Sequence, residues 1–169
     1  MYQAEGASMT AGNYGIASER GDPSERADRA MPETAARRGA RSRVLVVDDE
    51  PEIVAYLRET LERLGYEVSS ARDGREALER VAARQPDLIL LDCVMPVMDG
   101  VAVCQALRLR EETRLLPILM VTALTDVDSR VRAFESGVDD VVTKPFSLKY
   151  LDSVLEVHLL MDRIDPDPK

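Results

Sequence analysis

The chain has no tryptophan, only two phenylalanines and only five tyrosines among its 169 residues. Flat surfaces on which bases could stack are therefore scarce, which counts against a platform for single-stranded nucleic acid. Positive charge is in short supply too, since 22 bases face 31 acids and the net charge of -9 repels a phosphate backbone. No direct nucleic-acid binding is expected. Three of those bases are lysine and the other 19 arginine, so a lysine at a chemically suggestive place stands out. The two cysteines, Cys93 and Cys104, form neither a CxxC pair nor a metal-like cluster, which fits a reducing cytoplasmic setting. An apolar run of about 18 residues is missing, as is the apolar stretch of a signal peptide at the amino end, so neither a membrane span nor export is expected.

Residues 1–42 are rich in Ala, Gly, Ser, Arg and Glu without an apolar period, and read as a disordered tail. Their six acids and six arginines cancel, so the whole negative charge belongs to residues 43–169. Residues 43–163 read as one folded domain and 164–169 as a short extended tail. Five apolar runs mark strands: RVLVVD (43–48), YEVSSA (66–71), DLILLD (87–92), PILMVTA (117–123) and DVVTK (140–144). Between them, four sets fall on single helical faces: Ile53, Leu57, Leu61 and Leu64; Ala77, Leu78, Val81 and Ala82; Val101, Cys104 and Leu107; Val127, Val131 and Phe134. Pro51 suits a first helical position, Gly65 a helix end, and Asp73, Asp99 and Asp126 a first turn or cap. A fifth helix is expected over 147–163. Alternating strands and helices predict an α/β fold, an open, doubly wound parallel sheet of five strands.

In such sheets ligands gather at the carboxyl ends of the strands. Those ends carry Asp48 and Asp49, then Asp92, then Thr122, then Lys144. Three carboxylates with one ammonium sum to a charge of -2, and hard oxygen donors of this kind suit a divalent cation such as magnesium.

With VLVVDDEP, DLILLDCVMPVMDG, PILMVTA and GVDDVVTKPF in register, the chain resembles the receiver domain of two-component response regulators over about three quarters of its length. The resemblance implies a flavodoxin-like sheet in the order 2-1-3-4-5, which makes the informative strand ends neighbours. It also implies that Asp92 takes a phosphoryl group from a histidine kinase or phosphotransfer protein as an acyl phosphate. Asp49, Asp92 and the Val94 main-chain carbonyl would hold Mg²⁺, with Asp48 reaching it through water. Lys144, the Thr122 hydroxyl and the Ala123 N–H would bind phosphoryl oxygens, and Lys144–Pro145 would be a cis peptide. Chemically this is coherent, because phosphoryl transfer needs positioning and charge stabilisation more than acid–base machinery.

The chain departs from the family at Val141, three residues before the lysine, where most receivers carry an aromatic ring that swings inward on activation. A valine cannot signal in that way. Val94 and Leu124, two residues beyond the acceptor and the threonine, are apolar, so slow loss of the phosphoryl group is expected. Cys93 and Cys104 read as packed thiols, and His158 as a surface or partly packed residue. The fifth helix carries Leu151, Val154, Leu155 and Leu159 on one stripe, with Val157, Leu160 and Met161 outside it, a surplus that suggests a partner or self-dimer through helix 4, strand 5 and helix 5.

The leading functional expectation is a stand-alone receiver, a signalling switch that catalyses only its own phosphorylation and dephosphorylation and is not otherwise an enzyme. The alternative is the receiver part of a longer regulator with a DNA-binding or nucleotide-cyclase output domain. A small-molecule phosphatase is disfavoured, because Val94 stands where the nucleophile loop of the haloacid dehalogenase type needs a second Asp.

Overall fold

A computed structural model of the chain describes residues 41–123 and 127–164, the side chains at 127–129 and 162–164 excepted. Strands and helices alternate as β1 (Arg43–Val47), α1 (Pro51–Arg63), β2 (Glu67–Ala71), α2 (Gly74–Ala83), β3 (Leu88–Asp92), α3 (Gly100–Arg108), β4 (Ile118–Thr122), α4 (Val127–Glu135), β5 (Asp140–Thr143) and α5 (Leu148–Ile164). Every strand pair is parallel, and the order is β2-β1-β3-β4-β5, as the resemblance implied.

The three central strands are almost uninterrupted apolar runs because helices cover both of their faces. Alternate side chains divide between two cores. Leu45, Val47, Ile89, Leu91, Ile118 and Met120 meet α2, α3 and α4, whereas Val44, Val46, Leu88, Leu90, Leu119 and Val121 meet α1 and α5. In the second core the buried Tyr66, just ahead of β2, donates its hydroxyl to Asp152 of α5 at 3.0 Å. Pro51 opens α1, and Asp73 and Asp99 cap α2 and α3 by accepting from the backbone N–H of Glu76 and Ala102, each at 2.8 Å. Gly65 follows α1 at φ 93°. Asp126 lies outside the described residues.

The structure corrects three expectations. Ser42, assigned to the tail, is buried, and its carbonyl accepts from Glu67 N–H at 3.0 Å, so the packed domain includes it. The rest of the presumed tail, Arg41 aside, lies outside the described residues, as do 165–169. Ala82 is exposed, its helix turning that position away from Val81. Val131 and Phe134 were read as a buried face, yet they are 46% and 47% exposed, and α4 buries Ala133 instead. A short helix beside the sheet edge has less neighbouring surface to bury against than the central helices.

The loop from β3 to α3 has closely packed backbone. The N–H of Gly100 donates to the Cys93 carbonyl at 2.9 Å, and a Cβ on Gly100 would collide with the Asp92 carbonyl oxygen. Met98 N–H donates to the Pro96 carbonyl at 2.8 Å around Val97, which has φ 69° and is 81% exposed. A β-branched residue in this region is strained by roughly 1–2 kcal/mol. Asparagine tolerates it and is content in water. Val97→Asn is therefore expected to raise stability by about 1 kcal/mol in urea unfolding; a variant less stable than the parent would contradict the strain.

Candidate functional site

Register brings the predicted residues to one rim. Val47 lies opposite Leu91, Asp92 opposite Val121, and Thr122 opposite Thr143. Since neighbouring strands run ~4.8 Å apart, Asp48 and Lys144, just beyond β1 and β5, and Asp92 and Thr122, which end β3 and β4, come to the same rim. Carboxylate oxygens of Asp48, Asp49 and Asp92 all lie within 4.8 Å of one another. Among them sits Lys144, whose Nζ is 3.0 Å from Asp48 Oδ2 and 3.5 Å from Asp92 Oδ1. Its backbone N–H donates to the Thr122 carbonyl at 2.8 Å, which ties the lysine to β4, and the Lys144–Pro145 bond is cis as implied.

The three acids differ in setting. Asp48 is buried, and its other oxygen accepts from the Glu50 N–H at 2.9 Å, while Asp49 faces solvent. Asp92 stands between, its side chain 12% exposed and bonded by the Val94 N–H. Burial lifts the Asp92 carboxyl above the usual carboxylate range; Asp48 adds to the rise and Lys144 opposes it. For Lys144, burial disfavours the charge, but the hydrogen bond to Asp48 and the charges of both aspartates outweigh it, so the ammonium is held above its ordinary value. Thr122 is buried at the end of β4, and Ala123 is exposed just beyond it on the same rim.

The residues expected to stand apart do so. Burial, and then the charges of Asp92 and Asp99, push the Cys93 thiol above its ordinary value, which disfavours the thiolate. Cys104 is buried and donates to the Ser136 carbonyl at 3.2 Å. His158 lies 3.6 Å from Asp140 at the start of β5, the end of that strand opposite Lys144. Val141 is packed in the α2–α3–α4 core. Leu124 falls outside the described residues.

Two features escaped the sequence reading. Asp48, not Asp92, is the closest partner of Lys144, a choice set by strand geometry that no spacing encodes. The close approach of α3 to the end of β3 also escaped that reading: Gly100, the first residue of α3, has no side chain to hold the two apart, and the signal, a glycine directly after the capping Asp99, was present but ambiguous.

Three hard carboxylates in mutual reach, with one ammonium to offset them, fit a divalent cation. A protein-family model described as the response regulator receiver domain matches residues 44–156. Among curated proteins, the DNA-binding dual master transcriptional regulator RpaA of Synechocystis sp. is 40% identical over 127 residues, which cover 75% of this chain and 52% of that protein. The alkaline phosphatase synthesis transcriptional regulatory protein PhoP of Bacillus subtilis is 43% identical over 122 residues, 72% of this chain and 50% of its own. The chain thus spans about half the length of these relatives. Of solved structures, a putative response regulator from Chloroflexus aurantiacus superposes with a TM-score of 0.69 at 34% identity, covering 71% of this chain and 98% of that one. The signal receiver domain of a signal transduction histidine kinase from Syntrophus aciditrophicus gives 0.67 at 37% identity, covering 70% and 89%.

Proposed function

The chain belongs to the response regulator receiver family, and from that premise we propose that Asp92 accepts a phosphoryl group from the phosphohistidine of a kinase or phosphotransfer protein. A carboxylate oxygen of Asp92 bonds to phosphorus as the phosphorus–nitrogen bond breaks, and the imidazole leaves with the electron pair and takes a proton. The product is an acyl phosphate. The observation that carries this reading is Lys144, whose ammonium already lies between Asp48 and Asp92 and has only to turn toward a phosphoryl oxygen. The Thr122 hydroxyl and the Ala123 N–H, on the neighbouring strand end, serve the other oxygens.

Asp48, Asp49, Asp92 and the Val94 carbonyl would hold magnesium. When bound, the ion offsets the charge of the acceptor and of the incoming group. Apart from its own phosphorylation and dephosphorylation the domain has no turnover to perform. Its output is a change in the α4–β5–α5 face that a protein partner or a second copy reads. Among the described residues no helix is long and apolar enough to cross a membrane.

Intact-mass detection after incubation with acetyl phosphate and magnesium tests this reading. The wild type is expected to gain one phosphoryl group and Asp92→Asn none; equal labelling of both would end it. A second reading places the receiver within a longer regulator. It is favoured over a stand-alone protein by the relatives, which carry transcriptional-regulator names and are about twice as long as the matched stretch. In that case DNA contact belongs to a further domain, in keeping with the acidic charge here, and the continuation of the reading frame decides.

A further inference from the structure

Gly74, the first residue of α2, has no backbone reason to be glycine. Among the described glycines only Gly65 and Gly137 have positive φ, and at an ordinary helical position alanine is the better helix former. Space is the reason instead. A Cβ on Gly74 would collide with Val103 Cγ2 of α3, and would stand 2.7 Å from Met98 Cγ and 2.8 Å from the Met98 carbonyl oxygen. The last is a backbone atom, which no change of rotamer clears.

Met98 belongs to the segment that joins the strand end bearing Asp92 to α3. Its N–H donates to the Pro96 carbonyl at 2.8 Å, and two residues on the Gly100 N–H donates to the Cys93 carbonyl at 2.9 Å. Gly100 in turn leaves no room for a methyl group against the Asp92 carbonyl. Two bare α-carbons thus carry a file of close contacts from the head of α2, through Met98, to the end of β3. Within that file lies Val94, whose N–H bonds the Asp92 carboxylate and whose carbonyl is assigned to the ion above. The outer side of the segment contributes little hold, because Val94 and Val97 are 62% and 81% exposed. Its footing is inward: Cys93 and Met95 are in the core, and Met98 rests against Gly74.

We infer that Gly74 is a positioning residue for the ion site: the bare α-carbon at the head of α2 sets how deep Met98 sits, and so where the Val94 carbonyl stands beside Asp92. Gly74 has no side-chain donor to offer and acts only through Met98. This rests on the phosphoryl-acceptor reading above and extends its site to a residue eighteen positions before the acceptor.

Calorimetric titration with magnesium, without any phosphodonor, tests it together with amide hydrogen exchange. At matched folded fraction, Gly74→Ala is expected to weaken magnesium binding by roughly tenfold, the usual scale for a group that orients a metal ligand. Exchange at the Met98 and Gly100 N–H is expected to speed by roughly tenfold, with β4 and β5 unchanged. Ala77→Gly is the comparison. It loosens the same helix about one turn further on, at a residue buried in the same core, without crowding Met98, and is expected to keep magnesium affinity within about twofold of wild type. Should Gly74→Ala fail to fold, Met98→Ala removes the other side of the same contact and is read in the same way. Wild-type magnesium affinity in the crowded variant, or an equal loss in Ala77→Gly, overturns the inference and leaves the acceptor reading standing. A wild type that binds no magnesium fells the reading beneath, and the inference with it.

Discussion

Lys144→Met is expected to lower stability by roughly 2–3 kcal/mol and to slow phosphoryl uptake from acetyl phosphate by about a hundredfold or more. The stability loss arises because the ammonium is the closest cation to Asp48, which is buried, and also offsets Asp92. Without it the two carboxylates face each other partly out of water. Coulomb repulsion between unit charges ~4 Å apart at an effective dielectric near 20 is on the order of 4 kcal/mol, partly relieved by relaxation and by protonation.

The pH dependence has a definite sign. Asp92 already has a raised carboxyl in the wild type. An acid whose folded value lies above its unfolded value stabilises the fold at low pH and loses that contribution as pH rises through the folded value. Lys144 opposes that rise, so removing the ammonium lifts the Asp92 carboxyl further. The deficit of Lys144→Met against wild type, measured by urea unfolding in chelator, is therefore expected to be full at neutral pH and to shrink as pH falls toward about 4. A variant as stable as the parent at pH 7, or one that accepts label at the parental rate, would remove Lys144 from its assigned place.

A second large effect concerns a residue that bears no charge. Gly100→Ala adds one methyl group, but the added carbon falls on the carbonyl oxygen of Asp92, a backbone atom that cannot rotate aside. The start of α3 and the end of β3 must part, which costs on the order of 2 kcal/mol even after alanine's better helix propensity is counted. Because the displaced strand end carries Asp92, the proposed acceptor, label uptake is expected to fall along with stability. Gly65→Ala is the control. Nothing lies within 4 Å of a Cβ there, and its φ of 93° makes the penalty conformational and far from the site. Equal uptake in the two alanine variants at matched folded fraction would show that the α3 start does not position Asp92.

The strands, their carboxyl-end residues and the rim where they meet were legible from the sequence because a parallel sheet covered on both faces writes itself as short apolar runs, and the residue ending each run must emerge at one edge. Sheet order is a different matter. Alternation alone does not say which strands are neighbours, and the order came from the family resemblance. What periodicity misjudged was degree: Val131 and Phe134 have the spacing of a core face, but spacing reports only that residues share a side, not that another element covers it. Likewise the pairing of Lys144 with Asp48 depends on a distance between segments far apart in the chain, which no local pattern carries.

The tether from Tyr66 to Asp152 has a consequence for whatever reads this surface. It moors α5 beneath the sheet to a side chain just ahead of the edge strand farthest from β5. On the proposed reading, a docking protein that grips α5 through the exposed Val157, Leu160 or Met161 is therefore expected to keep its footing whether or not Asp92 carries a phosphoryl group.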